Sequence, residues 1–302
     1  MENIIYRTNE IVLTPRKQMT KKPWQNYSAS LEITTSVPKG GCTVDCIICP
    51  QKLLIDQYDG DRFMKLDTFK TFLDKVPNEV IIIFSGFVEP WLNKNATDML
   101  YHAHQKGHPV SVYTTGVGMQ PEDVERLTQI PYFWNHKNGS GGFCLHLPDA
   151  EGVGRHPITP TYIETIKEFH RLKDKINYFH YMAMGPTPHP QFKDMFPKHW
   201  LPEFFSRAGN LDREATVKPE LATARHLYRP TSVSPESRTC GCDEHLYHNI
   251  LLPNGDVSLC CMDYAQEYII GSLVDKDYEA IMPEVNTSYE LCRSCHCGVP
   301  KK

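Results

Sequence analysis

Eleven cysteines stand in a chain of 302 residues, and they are grouped. One group is Cys42, Cys46 and Cys49; the other is Cys240, Cys242, Cys260, Cys261, Cys292, Cys295 and Cys297, with Cys144 between them. The first group lies in Gly41-Cys42-Thr43-Val44-Asp45-Cys46-Ile47-Ile48-Cys49-Pro50, at the spacing C-x-x-x-C-x-x-C. Soft thiolates suit iron, and such short loops let three sulfurs converge, so this triplet can hold three irons of a cubane [4Fe–4S] cluster. The fourth iron is then open to the amino and carboxylate groups of a small molecule. Two plainer readings use the same residues: half of a zinc site, which usually wants C-x-x-C pairs, or ordinary buried thiols. A disulfide scaffold would spread its cysteines more evenly, whereas two clusters of thiols point to two metal sites.

The remaining composition narrows the class. The net charge of −4 comes from mixed charges, which gives no polybasic footprint for nucleic acid or an anionic membrane. The longest purely apolar run, Val80 to Phe84, is far short of a membrane span. Met1 to Glu10 has no basic stretch followed by an apolar block, so no secretory signal is expected. The expectation is a cytoplasmic, cysteine-ligated metalloprotein.

The elements that must position the cysteines follow a β-α rhythm. Leu31–Ser36 alternates like a strand and delivers the chain into the cysteine loop. Asp67 reads as a helix N-cap, with Phe69, Phe72, Leu73 and Val76 at helical spacing and Pro77 as the stop. Val80–Phe84 is a β-branched run of the kind buried in parallel sheets. A helix over Asn95–Lys106, a strand at Val110–Tyr113, a short helix from Pro121, a strand at Phe143–Leu147, a helix from Thr159-Pro160 and a strand over Ile176–Met184 continue the pattern. Such alternation builds a parallel α/β sheet or barrel, here with too few units for eight-fold closure. From Pro186 to Pro202 five prolines alternate with aromatic residues, which reads as a connector with a hydrophobic underside, or as a lid over the substrate. Asn254-Gly255 marks a hairpin leading to Cys260-Cys261.

The triplet, the strand ends and the tail together resemble the radical S-adenosylmethionine (SAM) superfamily with a C-terminal SPASM or twitch extension. The resemblance covers about residues 31–300 and implies a partial (β/α)6 TIM-like barrel followed by a small cysteine-rich domain. The implied organisation is an extension at 1–29, the barrel at 30–230 and the auxiliary domain at 231–302. It makes Cys42, Cys46 and Cys49 the ligands of the SAM-binding [4Fe–4S] cluster. Ser85-Gly86-Phe87-Val88-Glu89-Pro90 resembles the family's Gly-Gly-Glu-Pro-like turn, though one residue longer and with a single glycine, so Gly86 and Glu89 become SAM contacts. Thr114-Thr115-Gly116 resembles its Thr-Asn-Gly and adds Thr115. Ile48 takes the place of the usual aromatic residue that packs on adenine. In the tail, Gly255 and Cys260 match Gly-x4-Cys, and Cys292 and Cys295 form the closing pair. With Cys242, these imply a second, auxiliary [4Fe–4S] cluster, while Cys240, Cys261 and Cys297 are surplus. A structural zinc ribbon is the other reading of the tail.

What the resemblance implies for function is reductive cleavage of SAM to a 5′-deoxyadenosyl radical, hydrogen abstraction from substrate, and oxidation through the auxiliary cluster. The expected substrate is a small hydroxyl- or amino-bearing molecule or one side chain, and the expected electron donor a flavodoxin or ferredoxin. A peptide maturase of the same superfamily is the alternative within the class, although residues 1–29 are short for a leader-binding domain. A non-catalytic iron–sulfur or zinc scaffold is the alternative outside it. Cys144 reads as a core thiol. His146, Asp149, Arg155 and Tyr181 lie at or beyond strand ends, as substrate contacts or, more plainly, satisfied polar groups. Asp263 and Arg293 lie near the tail cysteines, placed to contact substrate or tune a cluster.

Overall fold

In the computed structural model the described residues are 30–135, 140–197, 206–215, 220, 224–227, 238–239, 248–281, 289–295 and 299–300. The expected extension at 1–29, the boundary at 230/231, and Cys240, Cys242 and Cys297 lie outside them.

One strand organises the rest. β1 (Ser30–Ile33) is followed by the cysteine loop and then by α1 (Gln51–Gln57), an element with no marker in the sequence pattern. α2 (Leu66–Leu73) begins one residue before the expected cap: Lys65 is the N-cap, and Asp67 sits in the first turn, where its charge suits the helix dipole. β2 (Ile81–Phe84), α3 (Ala96–Gln105), β3 (Val110–Thr114) and α4 (Pro121–Leu127) follow in the expected order. A small ribbon of β4 (Trp134–Asn135) and β5 (Ser140–Gly141) precedes β6 (Phe143–Leu147). α5 (Pro160–Leu172) is capped by Thr159, whose hydroxyl accepts from the Tyr162 amide at 3.1 Å. β7 (Phe179–Ala183) closes the parallel series, shorter than expected because the chain is still turning over residues 176–178, with Tyr178 at φ +53°.

Beyond it come α6 (Asn210–Glu214), β8 (Arg238–Thr239), β9 (Asn249–Leu251), β10 (Asp256–Ser258), β11 (Ile269–Ser272), α7 (Glu290–Ser294) and β12 (Val299–Pro300). The Asn254-Gly255 turn links β9 and β10 as expected; Gly255 has φ +94° and its amide donates to Leu252 O at 3.0 Å.

The eight-stranded sheet runs β11-β10-β9-β1-β2-β3-β6-β7. β1, β2, β3, β6 and β7 are mutually parallel, and β9 adds to β1 in parallel with Leu31 opposite Asn249 and Ile33 opposite Leu251. The tail hairpin therefore continues the barrel sheet, and supplies its sixth parallel strand. Leu31, Ile33, Ile82, Phe84, Val110, Val112, Phe143 and Leu145 pack with Phe69, Leu100, Val124, Ile166 and Phe169 of the helices in one apolar core. Strand alternation sends Glu32, Ser85, Tyr113, His146 and His180 to the other face, the barrel interior. Phe192 and Phe196 are fully buried, which is the hydrophobic underside expected of the proline-rich segment.

The turn after β2 is tied to the end of β1. Gly86 has φ +64°, and a Cβ there would lie 2.9 Å from Ile33 O and press on the Thr34 hydroxyl, which accepts from the Phe87 amide at 3.1 Å. Gly86→Ala is therefore expected to cost about 2 kcal/mol or more, from the left-handed backbone and the overpacking together. Urea unfolding of the variant beside the parent measures it.

Candidate functional site

The cysteine loop is shaped by groups that leave its thiols on the inner side. Gly41 has φ +81° and Asp45 φ +41°, so the chain turns sharply at both places. The Gln51 side chain at the start of α1 is nearly fully buried; its Oε1 accepts from the Cys42 amide at 2.6 Å and its Nε2 donates to Asp45 at 3.3 Å. From the β6 side, the Ile47 amide donates to Val153 O at 2.9 Å, and Arg155 pairs with Asp45 at 3.3 Å and with Glu220 at 3.6 Å. Asp149 folds the loop that does this, accepting from the Val153 and Gly154 amides at 2.8 and 3.0 Å. Asp149 and Arg155 thus have their polar groups engaged by the protein, the plainer of their two readings.

Cys46 is buried and Cys42 and Cys49 are half-buried. Burial pushes the Cys42 thiol up to about 12, against the pull of backbone N–H groups from Glu89 and Val44 that reach its sulfur. A bound metal would favour the thiolate that burial disfavours. Among the described residues no three Cys, His, Asp or Glu side chains surround a point that a single ion could fill. A cubane takes each thiolate on a different iron, so three soft donors spaced around one short loop fit a cluster better than one zinc ion.

Glu89 is buried and holds two strand ends together. Its carboxylate accepts from Thr114 Oγ1 (2.6 Å), Thr115 N and Oγ1 (both 2.7 Å) and Trp91 N (3.2 Å). Burial raises its pKa and the donors oppose that shift. The three expected strand-end contacts, Gly86, Glu89 and Thr115, are thus brought together, with Glu89 and Thr115 bonded to each other. Ile48 is fully buried against Val153 and Leu211.

The other candidates divide by face. His146 lines the interior, in edge contact with Tyr113 at 6.4 Å, and Tyr113 meets His180 at 6.5 Å. Tyr181 points the other way and packs on Phe196 at 4.8 Å. Cys144 is buried, and burial raises its thiol pKa as expected of a core cysteine. Deeper in the barrel, Ser85 donates to Glu32 at 2.7 Å, and His248 lies 3.4 Å from Glu32.

In the tail, Cys292 is buried on α7 and Cys295 directly follows it, so the C-x-x-C pair shares one helical turn. Arg293 pairs with Glu290 at 3.2 Å. Asp263 shapes the loop after Cys260-Cys261, accepting from Ser258 Oγ and Tyr268 N at 3.0 Å and Glu267 N at 2.9 Å. That loop reaches the first cysteines: Tyr264 and Cys261 pack in the same apolar cluster as Cys42 and Cys49. Gln51, Arg207 and Tyr264 carry no motif. Only the nearness of Gln51 to Cys49, and of Tyr264 to Cys261, could have pointed to two of them.

Comparison with known proteins agrees with this architecture. Residues 242–296 match the family model SPASM, an iron–sulfur cluster-binding domain. Among solved structures, BtrN in complex with AdoMet and 2-DOIA is 13% identical with a TM-score of 0.53, covering 90% of this chain and 94% of that one. Native anSMEcpe with bound AdoMet is 13% identical with a TM-score of 0.51, covering 87% of this chain and 82% of that one. No curated protein matches the chain. The chain thus shares its fold with these solved structures, and its residues 242–296 match an iron–sulfur cluster-binding domain. No helix among the described residues is long and apolar enough to cross a membrane.

The interior histidine gives a pH prediction. Burial, with smaller contributions from His156, His180 and Arg207, holds His146 down at about 3. The fold therefore favours the neutral ring. Its contribution is fully present above the unfolded value near 6.5, and is lost as pH falls from there toward about 3, at about 1.4 kcal/mol per unit. His146→Gln is expected to lose less stability than the parent between pH 7 and pH 5, read from urea midpoints at each pH.

Proposed function

We propose that the protein is a radical-SAM enzyme in which Cys42, Cys46 and Cys49 hold the SAM-binding cluster and the tail holds one auxiliary cluster. The observation that carries this reading is the contact between the two cysteine regions: Tyr264, three residues beyond Cys261, and Cys261 itself pack in one apolar cluster with Cys42 and Cys49. A purely structural zinc ribbon has no need of that adjacency. When bound, the first cluster and SAM supply a 5′-deoxyadenosyl radical that abstracts a substrate hydrogen. Cys260, Cys292, Cys295 and Cys242 are the proposed tail ligands, and Cys242 lies outside the described residues.

The chain's own residues orient and exclude water. The Glu89–Thr115 strap fixes the ends of β2 and β3 beside the loop, at the C-terminal ends of parallel strands where ligands bind. Ile48, Val153 and Leu211 close the loop's far side with apolar surface. Tyr113, His146 and His180 offer a phenol and two imidazoles in the barrel interior, groups that recognise hydroxyls and amines of a small polar substrate. Burial keeps both imidazoles neutral at neutral pH, able to donate at one nitrogen and accept at the other. A small hydroxyl- or amino-bearing substrate oxidised through the auxiliary cluster is the reading we favour. The BtrN structure holds 2-DOIA, and this chain spans 94% of that protein. A flavodoxin or ferredoxin is the proposed electron donor, and the cytoplasm the proposed location.

Iron and sulfide analysis with EPR on the anaerobically reconstituted full chain tests this. Roughly eight irons per chain are expected, with one signal that shifts on SAM addition and one that does not. Cys42→Ala, Cys46→Ala and Cys49→Ala are expected to abolish the SAM-dependent shift and 5′-deoxyadenosine formation, and Cys260→Ala to keep the shift. Retained 5′-deoxyadenosine in Cys46→Ala would overturn the assignment.

A further inference from the structure

The segment Ser206–Ala215 uses an unusual backbone to reach both cysteine regions. Arg207, Ala208 and Gly209 have φ of +49°, +57° and +83°, three consecutive left-handed residues of which only one is glycine. Each non-glycine residue in that region costs about 1–2 kcal/mol, so something must hold the turn. Asn210, almost fully buried, does so: its Nδ2 donates to Arg207 O at 2.9 Å and to Met262 O at 2.6 Å. The Gly209 amide donates to Ser206 Oγ at 3.1 Å, and Arg213 pairs with Glu267 at 2.9 Å. A Cβ on Gly209 would lie 3.5 Å from Ser294, one residue from Cys295 on the tail helix. The segment is thus pinned to the loop after Cys260-Cys261 and adjoins the C-x-x-C turn.

The strained turn aims one charge. Arg207 Nε donates to Ile48 O at 3.2 Å, inside the loop between Cys46 and Cys49. Its guanidinium lies 5.9 Å from the Tyr264 ring centroid, and Tyr264 belongs to the apolar cluster against which Cys42 and Cys49 pack. Tyr264 also packs on Phe87 at 4.7 Å, in the turn after β2. Cys46, Cys49 and Cys261 all feel the guanidinium charge. We propose that Arg207 and Tyr264 are a positioning pair that raises the reduction potential of the cluster held by Cys42, Cys46 and Cys49, and locks that cluster's loop to the tail. The proposal rests on the functional reading above. The physical basis is that one-electron reduction makes a thiolate-ligated cluster more negative. A half-buried cation held against the ligand loop stabilises that extra charge, in a medium that screens it poorly.

The test is an EPR-monitored redox titration of both clusters in the anaerobically reconstituted full chain, comparing parent, Arg207→Lys, Arg207→Met and Tyr264→Phe. Arg207→Met is expected to make the SAM-responsive cluster at least tenfold harder to reduce at a fixed potential, about 59 mV for a one-electron couple. Arg207→Lys is expected to recover most of that shift by restoring the charge. Tyr264→Phe, which keeps the ring beneath the guanidinium and so the fold, is expected to leave that midpoint close to the parent's. The tail cluster is expected to move less than the first in Arg207→Met. An unchanged first-cluster midpoint in Arg207→Met, or an equal shift of both clusters, overturns the proposal. Failure of the functional reading looks different: the parent itself would show no SAM-responsive signal.

Discussion

The pairing of β1 on both of its edges is the constraint on which the structure depends. A four-residue strand gives only a few ladder bonds, yet β1 carries the first cysteine loop at its end. β2 holds one edge and β9 the other, so the strand is fixed by one partner near in sequence and one more than two hundred residues away. Burial on both faces then needs no long element: Leu31 and Ile33 enter the helix-facing core, and Glu32 turns inward to Ser85. The loop inherits this fixity through Thr34 and Thr35, whose hydroxyls engage the Phe87 amide and Pro90 O.

Around that strand, polar groups do what apolar packing alone cannot. Glu89 gathers donors from the end of β3, the turn after it and a 3-10 segment, and Asn93 donates to Thr35 O and Met64 O at 2.9 and 2.8 Å. Each buried acceptor among these is satisfied, and satisfied polar networks select one geometry more sharply than interchangeable hydrophobic contacts do. The site is therefore built from residues whose partners lie one strand over, not from residues adjacent in the loop.

Much of this was legible in the sequence. The β-branched run at Val80–Phe84, the Thr159-Pro160 start and the Asn254-Gly255 turn each act locally, and each appears where its chemistry places it. What stayed hidden was long-range or a matter of parity. Nothing in Asn249–Leu251 announces β1 as its partner, because a three-residue strand has almost no pattern to match. In Phe179–Ala183 the aromatic and imidazole residues suit either face, so only pairing with β6 shows that His180 turns inward and Tyr181 outward. Arg207 acts through the backbone of a loop 159 residues away in sequence, which leaves no spacing rule to read.

The parallel seam between β9 and β1 also bears on how such chains can be recombined. A tail joined to its barrel only by a linker could be exchanged like a cassette. Here β9 of the tail is also a parallel strand of the barrel, so a graft must keep the register that sets Leu31 against Asn249. A slip of one residue would swap which side chains of β9 meet the apolar face. It would also carry the turn at Asn254 away from Tyr58, whose hydroxyl meets the Asn254 amide at 3.1 Å. Inheritance of the two cysteine regions is on this account joint, because the seam between them is itself part of the barrel wall.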